Sequence, residues 1–302
     1  MSGVVSGDDE PAIETVALSR RFGRKRVLDG LDLRLPRGEI HAILGANGAG
    51  KSTLFRILLG FLAPTGGRAR VLGRDCGALT PEDRGRIGFV SEEHTLPGWM
   101  QVAVVTAMHR RHHPQWSQAV FDEVLGHFCV LPEQRVRELS RGERAGLSLA
   151  LVLAQQPELL VLDEPTLGLD VGAKRALVEA VLYGASTAPR TVIYCSHQMD
   201  EVERIADNLV ILERGRLKTM ASPDELCARM RLWVAELPFQ GPDRAALPGV
   251  LQVQHLDGFH HYLVLDQDDG FAERLRGYHA RSIQSMPVSL ERAVGGLLAV
   301  TR

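Results

Sequence analysis

The chain has 302 residues, enough for two ordinary domains, and 45% of them are hydrophobic, which supplies a sizeable core. Its 35 Lys and Arg against 37 Asp and Glu leave a net charge of −2, so no chain-wide field draws it to nucleic acid or to an anionic membrane. The longest run without Asp, Glu, Lys or Arg, residues 94–109, is too short to span a bilayer and is broken by Pro97, Gly98 and Gln101.

The opening residues MSGVVSGDDE are acidic and lack the basic start and apolar middle of a secretory signal. They predict a disordered lead over 1–10 and a cytosolic protein. Cys76, Cys129, Cys195 and Cys227 lie far apart with no C-x-x-C pair, the pattern of reduced thiols rather than of a disulfide framework or a zinc site. Aromatic residues at 5% offer no base-stacking surface, so no nucleic-acid partner is expected.

Beyond the lead, residues 13–18 and 27–35 are β-like, the second alternating apolar and polar side chains, and together they predict the arms of an antiparallel layer. Residues 39–45 then read as an apolar strand, followed by a Gly-rich bend and a helix in which Leu54, Ile57 and Leu58 recur at helical spacing. Strand signals fade over about 91–140, where helical patterns at 101–112 and 115–130 predict an inserted helical subdomain. The sheet resumes at 159–162 and 191–195, which flank a helix over 171–186 and so form a β-α-β unit with a parallel sheet. Ser222-Pro223-Asp224-Glu225 is a helix start. It opens a small α+β module over 222–302, with strands at 232–237, 250–256 and 262–265 and helices at 271–278 and 289–299. The predicted class is α/β, with a main domain over 11–221.

Gly45-Ala46-Asn47-Gly48-Ala49-Gly50-Lys51-Ser52, followed by Thr53, fits G-x-x-x-x-G-K-[ST] and stands between an apolar strand and a helix, where that motif acts. Its glycines let backbone N–H groups turn onto phosphates and the helix N-terminus adds positive dipole. Lys51 would reach the β- and γ-phosphates and Ser52 would ligate Mg²⁺. The apolar run ending in Asp163 supplies a carboxylate to the same metal, and Glu164, one place later, could take the proton of a water attacking the γ-phosphate.

Leu139-Ser140-Arg141-Gly142-Glu143 opens a long apolar helix and resembles the L-S-G-G-Q signature of ABC transporter nucleotide-binding domains. In the same register, Gly168-Leu169-Asp170 resembles the family's D-loop and Ser196-His197 its switch histidine. Phe22 stands where the family has an aromatic that stacks on adenine. The resemblance runs over about 13–225. It implies a RecA-like core with an antiparallel subdomain and a helical subdomain, working as a head-to-tail homodimer. Each ATP would lie between the phosphate loop of one subunit and Ser140 and Gly142 of the other, with Asp170 nearby and His197 completing the catalytic set. The resemblance also implies membrane permease subunits on other chains, placing the protein on the inner face of the cell membrane.

Three places depart from the family pattern. Glu92 falls where most members have a glutamine that senses Mg²⁺ and the attacking water, so a carboxylate would join the metal site. Arg141 and Glu143 replace a glycine and a glutamine of the signature, and Leu167 replaces a serine of the D-loop. The segment from Pro287 to Ala293 resembles the S-L-E-x-x-F closing of many exporter ATPases, which implies export. The rival readings are a soluble ABC ATPase that transports nothing and a module that closes on ATP without turnover. His109, His112 and His113 sit at helical metal-ligand spacing but flank Arg110 and Arg111, which favours a solvated or permease-facing helix end over a metal site. Leu96, Trp99 and Met100, on a Pro-Gly loop, form an apolar group in which Trp99 and Met100 are expected to meet the permease.

Overall fold

The computed structural model describes residues 10–188, 190–238, 241–266 and 270–299; the lead segment lies outside them, apart from Glu10. The chain divides into two compact units, one ending at Met220 and the other starting at Ala221.

The first unit runs β1 (Ile13–Phe22), β2 (Lys25–Leu35), β3 (Ile40–Leu44), α1 (Lys51–Leu58), β4 (Gly66–Val71), β5 (Arg74–Asp75), α2 (Pro81–Gly85) and β6 (Ile87–Val90). It continues with α3 (Val102–His112), α4 (Gln118–Gly126), α5 (Arg141–Ala154), β7 (Leu159–Asp163), α6 (Val171–Thr187), β8 (Thr191–Cys195), α7 (Met199–Ile205), β9 (Asn208–Glu213) and β10 (Arg216–Ala221). One sheet, ordered β2-β1-β4-β5, is antiparallel. In β2 the alternation works as the sequence implies: Leu31, Leu33 and Leu35 are buried while Asp32 and Arg34 face out.

A second sheet is ordered β10-β9-β3-β8-β7-β6, with parallel ladders joining β9 to β3, β3 to β8, β8 to β7 and β7 to β6. Every residue of β3 and β8 is buried, which fits their mostly apolar sequences, interrupted by His41 and opened by Thr191: both faces of a parallel sheet are covered. The order sets β3, β8 and β7 side by side, so the loops leaving their C-terminal ends are neighbours. In open α/β sheets that edge is where ligands bind.

Val102 and Val105 of α3, Phe121 and Val124 of α4, Phe128, and Leu147 and Leu151 of α5 share one core, which continues into Val90, Leu160 and Leu162 of the parallel sheet. Among the described residues no helix is long and apolar enough to cross a membrane. The second unit contains α8 (Pro223–Ala228), β11 (Met230–Glu236), β12 (Val250–Leu256), β13 (Phe259–Leu265), α9 (Phe271–Gly277), β14 (Ser282–Met286) and α10 (Leu290–Ala299). Its sheet is antiparallel in the order β12-β13-β11-β14, with Tyr262, Phe271 and Leu275 buried at its centre.

Candidate active site

The loop between β3 and α1 wraps the start of the helix. Gly50 is its N-cap at φ +108, and a Cβ there would lie 2.7 Å from Leu28 Cδ2, so only glycine serves. The first-turn N–H groups of Lys51, Ser52 and Thr53 have no intrahelical acceptors and are available to an anion. Lys51 Nζ donates to the carbonyl oxygen of Gly45 at 2.6 Å, which holds the ammonium over the loop.

A cavity of about 380 Å³ opens on this loop. Asn47, Gly48, Gly50, Lys51, Ser52 and Thr53 line one side; Asp163, Glu164, Glu92 and His197 line the other. Residues expected from four separate stretches of sequence thus meet at one site. Gly45, Ala46 and Ala49 belong to the same loop without lining the cavity. Lys25 and Val27, at the start of β2, also border it, and sequence reasoning passed over both. Lys25 precedes the strand predicted at 27–35, and it is the β1–β2 ladder, which pairs it with Phe22, that brings it to the site. Phe22 itself stands just outside the lining, half exposed, with the Arg20 guanidinium 4.6 Å from its ring centre.

Glu164 is held from several directions. Its backbone sits at φ +51, a region that costs a non-glycine residue about 1–3 kcal/mol unless the surroundings enforce it. Its N–H donates to the Cys195 carbonyl at 2.9 Å. Its carboxylate accepts the backbone N–H of His197 at 3.3 Å on Oε2, and His197 Nε2 lies 3.0 Å from Oε1. The side chain of His197 is 50% exposed against 12% for Glu164, so the histidine stands at the cavity mouth with the acid behind it. Burial pushes the Glu164 carboxyl above its ordinary range, with His197 partly opposing the shift. A base raised toward neutrality is better matched to taking a proton.

Asp163 is also raised, first by burial, with Lys51 pulling it down and the charge of Glu92 pushing it further up. A P-loop Mg²⁺ is held by one or two carboxylates together with phosphate oxygens and waters. Ser52, Asp163 and Glu92 around one cavity fit that donor set. Among the described residues there is no cage of three or more His, Cys, Asp or Glu for a metal.

Ser140 and Asp170 are both helix caps. Ser140 Oγ accepts the N–H of Glu143 at 3.2 Å while Glu143 Oε2 accepts the N–H of Ser140 at 2.7 Å, a capping box that starts α5. Glu143, a departure from the signature, therefore does local work. Gly142 is packed against α6, where an added Cβ would lie 2.7 Å from Ala173 Cβ. Arg141 lays its guanidinium over Gly168. Asp170 Oδ1 accepts the N–H of Ala173 at 2.9 Å. Neither Ser140, Gly142 nor Asp170 lines the cavity of its own chain.

Residues 28–167 match the ABC transporter family. A daunorubicin resistance ATP-binding protein, DrrA3, of Streptomyces coeruleorubidus is 36% identical over 227 residues, 72% of this chain and 71% of its own. A Nod factor export ATP-binding protein I of Burkholderia lata is 30% identical over 283 residues, 91% of this chain and 92% of its own. A sulfate/thiosulfate import ATP-binding protein, CysA, of Yersinia pseudotuberculosis is 32% identical over 228 residues, 71% of this chain and 61% of its own. Among solved structures, an ATP-binding subunit of an ABC transporter shares the fold, with a TM-score of 0.64 at 24% identity over 72% of this chain and 92% of that one. The chain belongs to the ABC transporter family as an ATP-binding subunit, an ATP hydrolase on an α/β P-loop fold.

Proposed function

We propose that the protein powers an ABC exporter, as a homodimer bound to separate permease subunits on the inner face of the cell membrane. The observation that carries the reading is the single cavity that gathers the phosphate loop, Asp163, Glu164, Glu92 and His197. The export direction draws support from the Nod factor export relative, whose similarity extends through most of the unit beginning at Ala221. The similarity to the sulfate importer covers 71% of this chain.

In this reading the backbone N–H groups of the loop and Lys51 bind the phosphates, and Phe22, beside Lys25, takes the adenine ring. Ser52, Asp163 and Glu92 hold Mg²⁺, which when bound neutralises developing charge on the phosphate oxygens. Glu164 accepts the proton of the attacking water, and His197 orients that carboxylate and contacts the γ-phosphate. Ser140 and Gly142 of a second copy close the site over the nucleotide. Mg-ATP hydrolysis by the purified chain, with Lys51→Ala as control, tests the enzymatic half. Cell fractionation tests the transport half: recovery of the protein wholly in the soluble fraction, with no membrane partner, would favour a non-transport ATPase.

A further inference from the structure

Directly behind the site lies a buried carboxylate that the mechanism above does not use. Glu201, on α7, is 6% exposed, and its Oε2 accepts three hydroxyl groups: Tyr194 at 2.7 Å, Thr166 at 2.8 Å and Ser196 at 3.1 Å. Tyr194 is in β8 and Ser196 immediately precedes His197; Thr166 follows Glu164 by two residues. One oxygen thus fastens the chain leaving β7 to the chain leaving β8. Gln198 extends the knot. Its backbone N–H donates to Ser196 Oγ at 3.1 Å and its side-chain amide to Thr166 Oγ1 at 3.3 Å, while its own Oε1 accepts Lys174 Nζ of α6 at 2.5 Å.

This network is placed where support is needed, because Glu164 keeps its left-handed backbone only if its neighbours over-determine it. The other oxygen of Glu201, Oε1, is buried with no partner. A buried polar atom left unsatisfied is costly and calls for a reason beyond packing.

We propose that Glu201 is a positioning residue for ATP hydrolysis, holding the Glu164 turn and the His197 loop in register while nucleotide binding is left to the phosphate loop. The inference rests on the roles given to Glu164 and His197 under the proposed function.

Steady-state Mg-ATP hydrolysis by full-length variants tests it. Glu201→Leu lowers kcat by about 100-fold and keeps KM for ATP within about twofold, as expected when catalytic groups are displaced but binding is not. Glu201→Gln, which retains an oxygen to accept the hydroxyls, recovers part of the loss. Thr166→Val and Tyr194→Phe each remove one donor at nearly constant volume, lower kcat less, and add little on top of Glu201→Leu because they act through the same oxygen. A purely structural role would lower the melting temperature and leave kcat per folded molecule unchanged. Should Glu201→Leu fail to fold, the Thr166→Val/Tyr194→Phe double variant carries the same expectation. Parent kcat in either folded protein, or a KM that rises as much as kcat falls, overturns the inference. Glu164→Gln separates the two levels: normal turnover there would mean the base itself is wrongly assigned, whereas its inactivity beside fully active Glu201 variants would remove only the positioning role.

Discussion

The imidazole Nε2 of His94, a buried residue, lies 3.0 Å from the carbonyl oxygen of Pro165. That hydrogen bond joins the loop carrying Glu92 to the turn carrying Glu164, the residue before Pro165. His94→Ala loses both the donor and buried volume, and is expected to cost about 2–4 kcal/mol in urea denaturation and to slow ATP turnover. His94→Gln, able to donate to the same carbonyl, should recover more than half of the stability. Equal losses in the two variants would show that packing alone matters.

A pH dependence follows from His41 on β3, which is wholly buried with Nε2 3.0 Å from the Pro36 carbonyl. Burial holds its pKa below the ordinary imidazole value, although the Pro36 carbonyl, Glu39 and Asp207 pull it back in part. Below about pH 6.5 the unfolded chain therefore binds a proton that the folded chain refuses. Stability is full above that value and falls as the pH drops toward the depressed folded value. Melting temperatures from pH 8 to pH 5 should decline, and His41→Gln should flatten part of the slope. An unchanged slope would remove His41 from the account.

Glu92 and Asp163 share one cavity, and the charge of Glu92 helps raise Asp163. Glu92→Gln relieves that repulsion while removing an anionic metal ligand, so the two effects oppose one another in binding. ATP affinity is expected to stay within about tenfold of the parent, with the change appearing in turnover. Isothermal titration beside a kinetic assay measures both. Equal hydrolysis by Glu92→Ala and the parent would show that this carboxylate takes no part.

Trp99 is 68% exposed, whereas Leu96 and Met100 pack against the helical core. The apolar group expected from the sequence is thus divided, and Trp99 alone is presented outward. Trp99→Ala should leave folding and basal ATPase within about 20% of the parent, because an exposed side chain contributes little to stability. Co-purification with membrane subunits should be lost; if it persists, the permease docks elsewhere.

How much of this was legible in the sequence depended on how local the cause was. The phosphate loop and the apolar strand ending in Asp163 are set by neighbours in the chain, and their residues read directly. Strand β1 runs to Phe22 rather than stopping near residue 18, since its polar second half is stabilised by pairing with β2 and β4. Helix α4 begins at Gln118 because Ser117 caps it, accepting the Val120 N–H at 3.4 Å, where apolar spacing alone suggested residue 115. The short strands β5 and β14 lack alternation and exist through their partners, and β4 alternates only over residues 68–71. Glu201 was invisible for the same reason: its three hydroxyl donors converge only when β7 and β8 lie side by side.

The most direct test of the central claim uses Glu164→Gln, which replaces the carboxylate by a neutral side chain of the same size. With Mg-ATP, gel filtration coupled to light scattering should show a stable dimer retaining two nucleotides, and hydrolysis should stop. A Glu164→Gln protein that remains monomeric and hydrolyses ATP at the parent rate would contradict the assignment of this cavity as the active site.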